Sequence, residues 1–243
     1  MQTTIETADR TEEALPALRE RLNHVRDQVA AAALNAGRQP AEVTIVGVTK
    51  SVERGIVDAA YAVGLRAFGE NRVQEADAKF GEPLPVDATL HLIGQLQTNK
   101  AKAAVRVFDV IESVDRLSLI EALERAAVAQ QRDVPILIQV NVAEEPQKAG
   151  CVLAEAAELL RRVNTTDRLT AIGLMTIAPL VADPEEIRPV FRELRRLRDH
   201  LSREVPGTDL VHLSMGMSND FSVAIEEGAT MVRIGRAIFG ERT

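Results

Sequence analysis

One lysine closes an apolar run near the start of the chain, Val43-Thr-Ile-Val-Gly-Val-Thr-Lys50. Two small-residue turns stand near the other end, one in His212-Leu-Ser-Met-Gly-Met-Ser218 and one in Val232-Arg-Ile-Gly-Arg-Ala-Ile-Phe-Gly240. Each reads as a short strand, a turn with glycine and the start of a helix. Backbone N–H groups at a helix start point outward, and the helix dipole favours negative charge there, so two such turns on adjacent parallel strands make an anion cradle. A primary amine attacks aldehydes, and partial desolvation favours its reactive neutral form. A phosphate cradle together with a strand-end lysine suits pyridoxal 5′-phosphate (PLP), which carries both a phosphate and an aldehyde.

Arg233 lies between Val232 and Ile234 in the last apolar run, where a charge is costly unless paired. PLP enzymes set a partner against the pyridine nitrogen. Arginine stays charged at ordinary pH and cannot accept the ring proton. Arg233 in that role would keep the nitrogen unprotonated and weaken the ring as an electron sink. The alternative is a structural ion pair with a neighbouring carboxylate such as Glu70. Lys50 also has a plain alternative, a solvated lysine at a strand end. Asn71 either caps the helix that follows it or offers its amide to a ligand. His91-Leu-Ile-Gly-Gln-Leu-Gln-Thr-Asn-Lys100 crowds polar side chains after strand three, either for a ligand or through helix capping by Thr98 and solvation of Lys100. Met175 is either core or packing for a flat ring. Asp109, Glu112, Asp115, Glu144 and Glu145 offer no recognisable acid–base pair.

The elements that must position these groups are legible as alternation. Strand-like runs fall at Val43–Thr49, Leu65–Phe68, Thr89–Leu92, Val107–Ile111, Ile136–Val142, Leu169–Leu174, Leu210–Leu213 and Met231–Ile234. Helical patterns lie between them, near 53–63, 71–79, 98–105, 116–130, 152–163, 184–204 and 219–227. Ahead of them, residues 11–36 form an amphipathic helix with Leu15, Leu18, Leu22, Val25 and Val29 on one face and Gly37 as a stop. Eight strands separated by helices predict a parallel α/β fold. An open doubly wound sheet is the competitor, but no G-x-G-x-x-G follows the first strand. The length, 243 residues, suits one (β/α)8 barrel of roughly 250 residues. The expected architecture is therefore a single TIM-type barrel over 11–243 with an extra N-terminal helix, preceded by a flexible stretch at 1–10. In such a barrel, Lys50 falls on the carboxyl-end face where sites are built, and phosphate binds after strands seven and eight.

Composition removes several function classes. Net charge is −7 and aromatics are 3%, with no Trp. That disfavours nucleic acid and anionic membrane as partners. A single cysteine, Cys151, excludes an internal disulfide and a cysteine-based metal cluster. The four His residues show no metal-ligand spacing. No stretch has the length of a membrane span and no apolar signal core leads the chain, so a cytoplasmic protein is expected. With no exposed apolar helix face evident, a monomer is expected.

Across residues 40–240 the chain resembles the YggS/PROSC family of PLP-binding, PLP-homeostasis proteins. The matching segments are Val48-Thr-Lys50, Gly69-Glu-Asn71, His91 through Lys100, Gln139-Val-Asn141, Lys148-Ala-Gly150, Gly173-Leu-Met175, Leu213-Ser-Met-Gly-Met-Ser218 and Val232-Arg-Ile-Gly235. Individually weak, they are specific in combination and in order. Cys151 departs from the pattern, standing where an aromatic is more usual. The resemblance implies a barrel like the N-terminal domain of alanine racemase. It also implies PLP held as a Schiff base on Lys50, with Arg233 at the pyridine nitrogen. The phosphate would lie against Ser214, Ser218, Gly235 and the backbone at Arg236, and Asn71 and Met175 would line the ring.

Two functions of different class fit. One is a PLP carrier or regulator that supplies PLP-dependent apoenzymes; the other is a racemase-like PLP enzyme. Racemisation needs acid–base groups on both faces of the substrate α-carbon. In the racemases that this chain resembles, a tyrosine from a second domain serves the face opposite the lysine. This chain lacks such a domain, and its one tyrosine, Tyr61, falls in the helix after strand one. A ring held unprotonated also suits transaminase or decarboxylase chemistry poorly. An open one-domain site would release PLP readily. A carrier and regulator, not an enzyme, is the expected function.

Overall fold

Eight parallel strands close on themselves in sequence order in the computed structural model, which describes the backbone of residues 2–145 and 147–240 and the side chains of 15–145 and 147–240. The strands are β1 (Thr44–Val48), β2 (Ala67–Glu70), β3 (Thr89–Leu92), β4 (Val110–Val114), β5 (Val134–Gln139), β6 (Leu169–Met175), β7 (His212–Met217) and β8 (Met231–Ile234). Each sequence-read run overlaps one of them. Between them run α2 (Arg54–Ala62), α3 (Val73–Lys79), α4 (Ala101–Val107), α5 (Leu117–Gln130), α6 (Ala156–Val163), α7 (Arg188–Glu204) and α8 (Phe221–Glu226); α9 (Arg236–Phe239) follows β8. The barrel is the (β/α)8 architecture that the alternation implies. No described helix is long and apolar enough to cross a membrane.

The leading helix α1 spans Gln2–Asn35 and ends where Gly37 takes a left-handed φ of 69°. The stretch 1–10 read as a flexible lead lies outside the described side chains. Leu18, Leu22, Val25 and Val29 are buried as their spacing requires. They press α1 against α2, α8 and α9, across the seam where β1 meets β8. Arginines fasten it: Arg21 Nε donates to Ile238 O at 2.7 Å, and Arg26 Nη2 to Gly64 O at 2.8 Å. Just past the helix, Arg38 Nη1 donates to Ala229 O at 2.8 Å.

Several strand boundaries differ from the sequence-read runs, and two of the shifts, in β4 and β7, bear on the site. β4 starts at Val110 and continues through Glu112 and Ser113 to Val114, with both polar side chains fully buried. β7 begins at His212 and runs on through Ser214, Met215 and Gly216 to Met217. Alternation then decides what faces the barrel interior, since neighbours in register share a face. Val46 pairs with Ala67 and with Arg233; Gly69 pairs with His91, and Met175 with both Gln139 and Ser214. Val46, Ala67 and Met231 form one interior cluster, and Val110, Leu137 and Met175 another.

Candidate functional site

Arg233 points into that interior and is 4% exposed. Its Nη1 donates to Ser214 Oγ at 2.6 Å and its Nη2 to Thr176 O at 2.7 Å. Ser214 Oγ is in turn 2.5 Å from Glu112 Oε2, and Glu112 Oε1 is 2.7 Å from His91 Nδ1. Burial works against the Glu112 charge, but the hydrogen bond and charge of His91, aided by Arg233 and Ser214, hold its carboxyl below the usual range. A carboxylate only accepts hydrogen bonds, so both Ser214 and His91 donate to it. Ser214 has one hydroxyl proton, and that proton is directed to Glu112. Toward Arg233 it presents a lone pair. Burial lowers the Arg233 pKa, while Glu112 and Asp220 oppose that shift.

Glu70 is not the partner of Arg233. It is one residue out of step with Gly69, so it faces outward between the barrel and α3. There Glu70 Oε1 accepts from Lys79 Nζ at 2.7 Å and from Thr49 Oγ1 at 2.8 Å. Lys79 Nζ also donates to Thr49 O at 2.8 Å. This clip fixes the residue immediately before Lys50. The chain then turns, with Val52 N donating to Thr49 O at 2.8 Å and Ser51 at a left-handed φ of 64°. A non-glycine residue there costs on the order of 1 kcal/mol. Lys50 itself is half-buried on the parity of Val46 and Val48, at the carboxyl end of β1.

The first small-residue turn starts later than the sequence suggests, because Ser214 belongs to β7. Gly216 makes the bend: its φ is 93°, and an added Cβ would lie 2.6 Å from Ala224 Cβ. The β7–β8 register shifts between Ser214 and Met217, as an extra residue in a strand requires. Asp220 then takes Met217 N at 2.5 Å. Among the described residues, no protein acceptor takes the backbone N–H of Ser218, Asn219, Arg236 or Ala237. These four amides belong to the two turns. The second turn pivots on Gly235, where a Cβ would approach nothing closer than Val48 Cβ at 3.6 Å. Ser218 and Gly235 are half-buried and Arg236 is exposed.

The remaining sequence-read residues divide. Met175 is fully buried against Val110 and Leu137 in the barrel interior. Asn71 is half-buried at the end of β2 and does not cap α3, whose N-cap is Arg72 with no side-chain cap bond. Instead Asn71 lines a cavity of about 280 Å³ with Gln95, Gln97 and Lys100. Thr98 is no cap either; its hydroxyl accepts from Arg116 Nη2 at 3.2 Å. Tyr61 donates to Asp87 Oδ1 at 2.6 Å, just before β3 begins and so at the end of the barrel opposite Lys50. Burial pushes the Cys151 thiol up to about 12, which keeps it protonated at ordinary pH.

Glu112 and His91 form a pair that sequence reasoning left unassigned. Their joining requires β3 and β4 side by side and both side chains on the interior face. The available signal was a polar residue within each apolar run, at His91, Glu112, Gln139 and Arg233 alike. The arrangement fits PLP on its own chemistry. A buried cationic donor faces the interior from β8, a lysine closes the adjacent strand β1, and two turns offer outward amides at the same end.

Residues 15–243 match the family described as alanine racemase, N-terminal domain. A curated relative from Aquifex aeolicus, named pyridoxal phosphate homeostasis protein, is 42% identical over 223 residues, covering 92% of this chain and 97% of the relative. One of the same name from Escherichia coli K12 is 38% identical over 224 residues, covering 91% and 95%. The solved structure of PipY from Synechococcus elongatus with PLP bound is 38% identical, with a TM-score of 0.81, covering 92% of this chain and 100% of that one. Alanine racemase from Corynebacterium glutamicum, at 16% identity and a TM-score of 0.68, covering 91% of this chain and 62% of that one, shares the fold. The chain belongs to the pyridoxal phosphate homeostasis proteins, a family built on the alanine racemase N-terminal domain.

Proposed function

We propose that this protein binds PLP as a Schiff base on Lys50 and serves as a carrier and regulator of its intracellular supply. The observation that carries the reading is Arg233, a buried and permanently charged donor on the strand beside the one that leads into Lys50. The names of the relatives and the PLP in the PipY structure support it.

In this reading, the Lys50 nitrogen replaces the aldehyde oxygen, which leaves as water. Arg233 donates to the pyridine nitrogen and keeps protons off it. The amides at Ser218 and Arg236 would take the phosphate, with Gly235 leaving room for it, while Asn71 and Met175 line the ring. Ser214 supports Arg233 instead of the phosphate, because its only proton is directed to Glu112. When bound, PLP supplies an electron sink, and a donor at an unprotonated nitrogen leaves that sink weak. Tyr61, tied to Asp87, supplies no acid to the second face of a substrate. Both features suit holding and handing over PLP as a monomer, with PLP-dependent apoenzymes as recipients in the cytoplasm.

The test is titration of the purified protein with PLP, followed by addition of a PLP-dependent apoenzyme. The reading requires a visible imine band at one equivalent. That band should fall as the apoenzyme gains activity. A protein that forms no imine, or one that forms it and never yields PLP to any apoenzyme, contradicts the reading.

A further inference from the structure

A chain of polar side chains crosses the barrel interior. Thr89 Oγ1 lies 3.1 Å from His91 Nε2, His91 Nδ1 is 2.7 Å from Glu112, Glu112 is 2.5 Å from Ser214, and Ser214 is 2.6 Å from Arg233. Four strands contribute its last four members, and those four are at most 4% exposed. A buried network of this kind is costly unless every group is satisfied. Here the hydrogen directions are dictated along its length. The Glu112 carboxylate can only accept, so His91 and Ser214 must donate, and the Ser214 lone pair must accept from Arg233.

We infer that Glu112 is a positioning residue for Arg233: fixed by His91 and acting through Ser214, it aims the guanidinium and supplies the counter-charge that sets how tightly the Lys50 imine nitrogen holds its proton. The inference rests on the PLP reading above. Glu112 reaches the bound group only through Ser214 and Arg233. A protonated or neutral residue at 112 would free the Ser214 proton to reverse, and Arg233 would lose its acceptor. It would also leave the arginine charge balanced by Asp220 alone. The other titratable groups near the chain are His91 and His212. His212 is held below its ordinary range by burial and by His91, with Glu112 and Asp209 opposing.

The sign follows from charge. A protonated imine is a cation. Removing the Glu112 charge leaves its surroundings more positive, so its pKa must fall. At an effective dielectric of about 20, one charge acting over roughly 10 Å is worth about one pH unit.

The test is a pH titration of the imine band in the wild type and in Glu112→Gln, each loaded with PLP. Glu112→Gln keeps the shape and removes the charge, and its imine pKa should fall by about one unit. Glu112→Asp keeps the charge and should restore most of the shift, which a purely structural role does not predict. A Glu112→Gln protein that folds, binds PLP and titrates with the wild-type pKa overturns the inference and leaves the PLP reading intact. A wild type with no imine band overturns the PLP reading itself. If Glu112→Gln does not fold, Ser214→Ala decides. Loss of the Arg233 acceptor should weaken PLP and pyridoxal alike by about tenfold, in line with one charged hydrogen bond. Unchanged affinity for both ligands, or a loss confined to PLP, would show that Arg233 does not depend on this chain.

Discussion

Lys79 Nζ lies 2.7 Å from a Glu70 carboxylate that is fully buried, and the same ammonium holds the carbonyl of Thr49, the residue before Lys50. The pair sits outside the barrel wall and sets the end of β1 from behind. Glu70 Oε2 has no hydrogen-bond partner among the described residues, so Lys79 and Thr49 carry its charge alone. Replacing Lys79 with Met therefore leaves a buried charge uncompensated and should cost about 3–5 kcal/mol. The double variant Lys79→Met, Glu70→Gln should recover part of that loss. Urea unfolding measures both. A single variant as stable as the wild type would mean that the clip does not hold the strand.

Two glycines near the turns should respond differently to one methyl group. At Gly216 an added Cβ meets Ala224 Cβ at 2.6 Å in a left-handed backbone. Gly216→Ala should lose about 1–3 kcal/mol from overpacking alone. At Gly235 the nearest protein atom is Val48 Cβ at 3.6 Å, so Gly235→Ala should fold normally. Its methyl group would instead narrow the phosphate cradle. Gly235→Ala should thus weaken PLP and spare pyridoxal, as measured by fluorescence titration with each. Equal effects on both ligands would move the phosphate away from this turn.

Glu227 gathers Arg188, Arg192 and Arg195 around a carboxylate that is 5% exposed, joining α7 to the end of α8. Hydrogen bonding from Arg192, joined by Arg188, holds its carboxyl below the usual range. The folded pKa thus lies below the unfolded value of about 4.3. Its stabilisation is present above that value and is lost as pH falls through the folded pKa. The melting temperature should fall on acidification below about pH 5. Glu227→Gln should melt lower at neutral pH and show a shallower acid slope. An identical slope in the two proteins would remove Glu227 from the acid response.

Tyr61 is tied to Asp87 and Arg66 at the amino end of the barrel. No described tyrosine is thus near Lys50. Chiral analysis of alanine, serine and glutamate should show no racemisation beyond that of free PLP. Turnover on the order of one per second, typical of a working enzyme, would require an acid on the second face that these residues do not provide.

Much of the fold is legible because β/α alternation is a local pattern. Leu18 through Val29, and strands such as Thr89–Leu92 and Met231–Ile234, declare themselves within one element. Lys50 and Arg233 are legible for a related reason, since a charge inside or closing an apolar run stands out. What escapes is non-local. The partner of Arg233 depends on barrel parity, which turns Glu70 outward to Lys79 and brings Ser214 and Glu112 inward. Ser214 reads as a turn residue because Gly216 follows it. Only the β7–β8 bulge shows that the strand continues past Ser214. His91 and Glu112 meet across two strands whose register no short window of sequence reveals.

Borohydride reduction of the PLP-loaded protein, followed by peptide mass mapping, tests the binding of PLP through Lys50 most directly. The reduced imine should be a pyridoxyl group on Lys50, and Lys50→Ala should abolish both the visible band and the adduct. Lys79 and Lys148 are engaged with Glu70 and Glu145 and should stay unlabelled. An adduct on Lys79, Lys100, Lys102 or Lys148 instead, or none anywhere in a protein that binds PLP, would contradict the site described for this barrel.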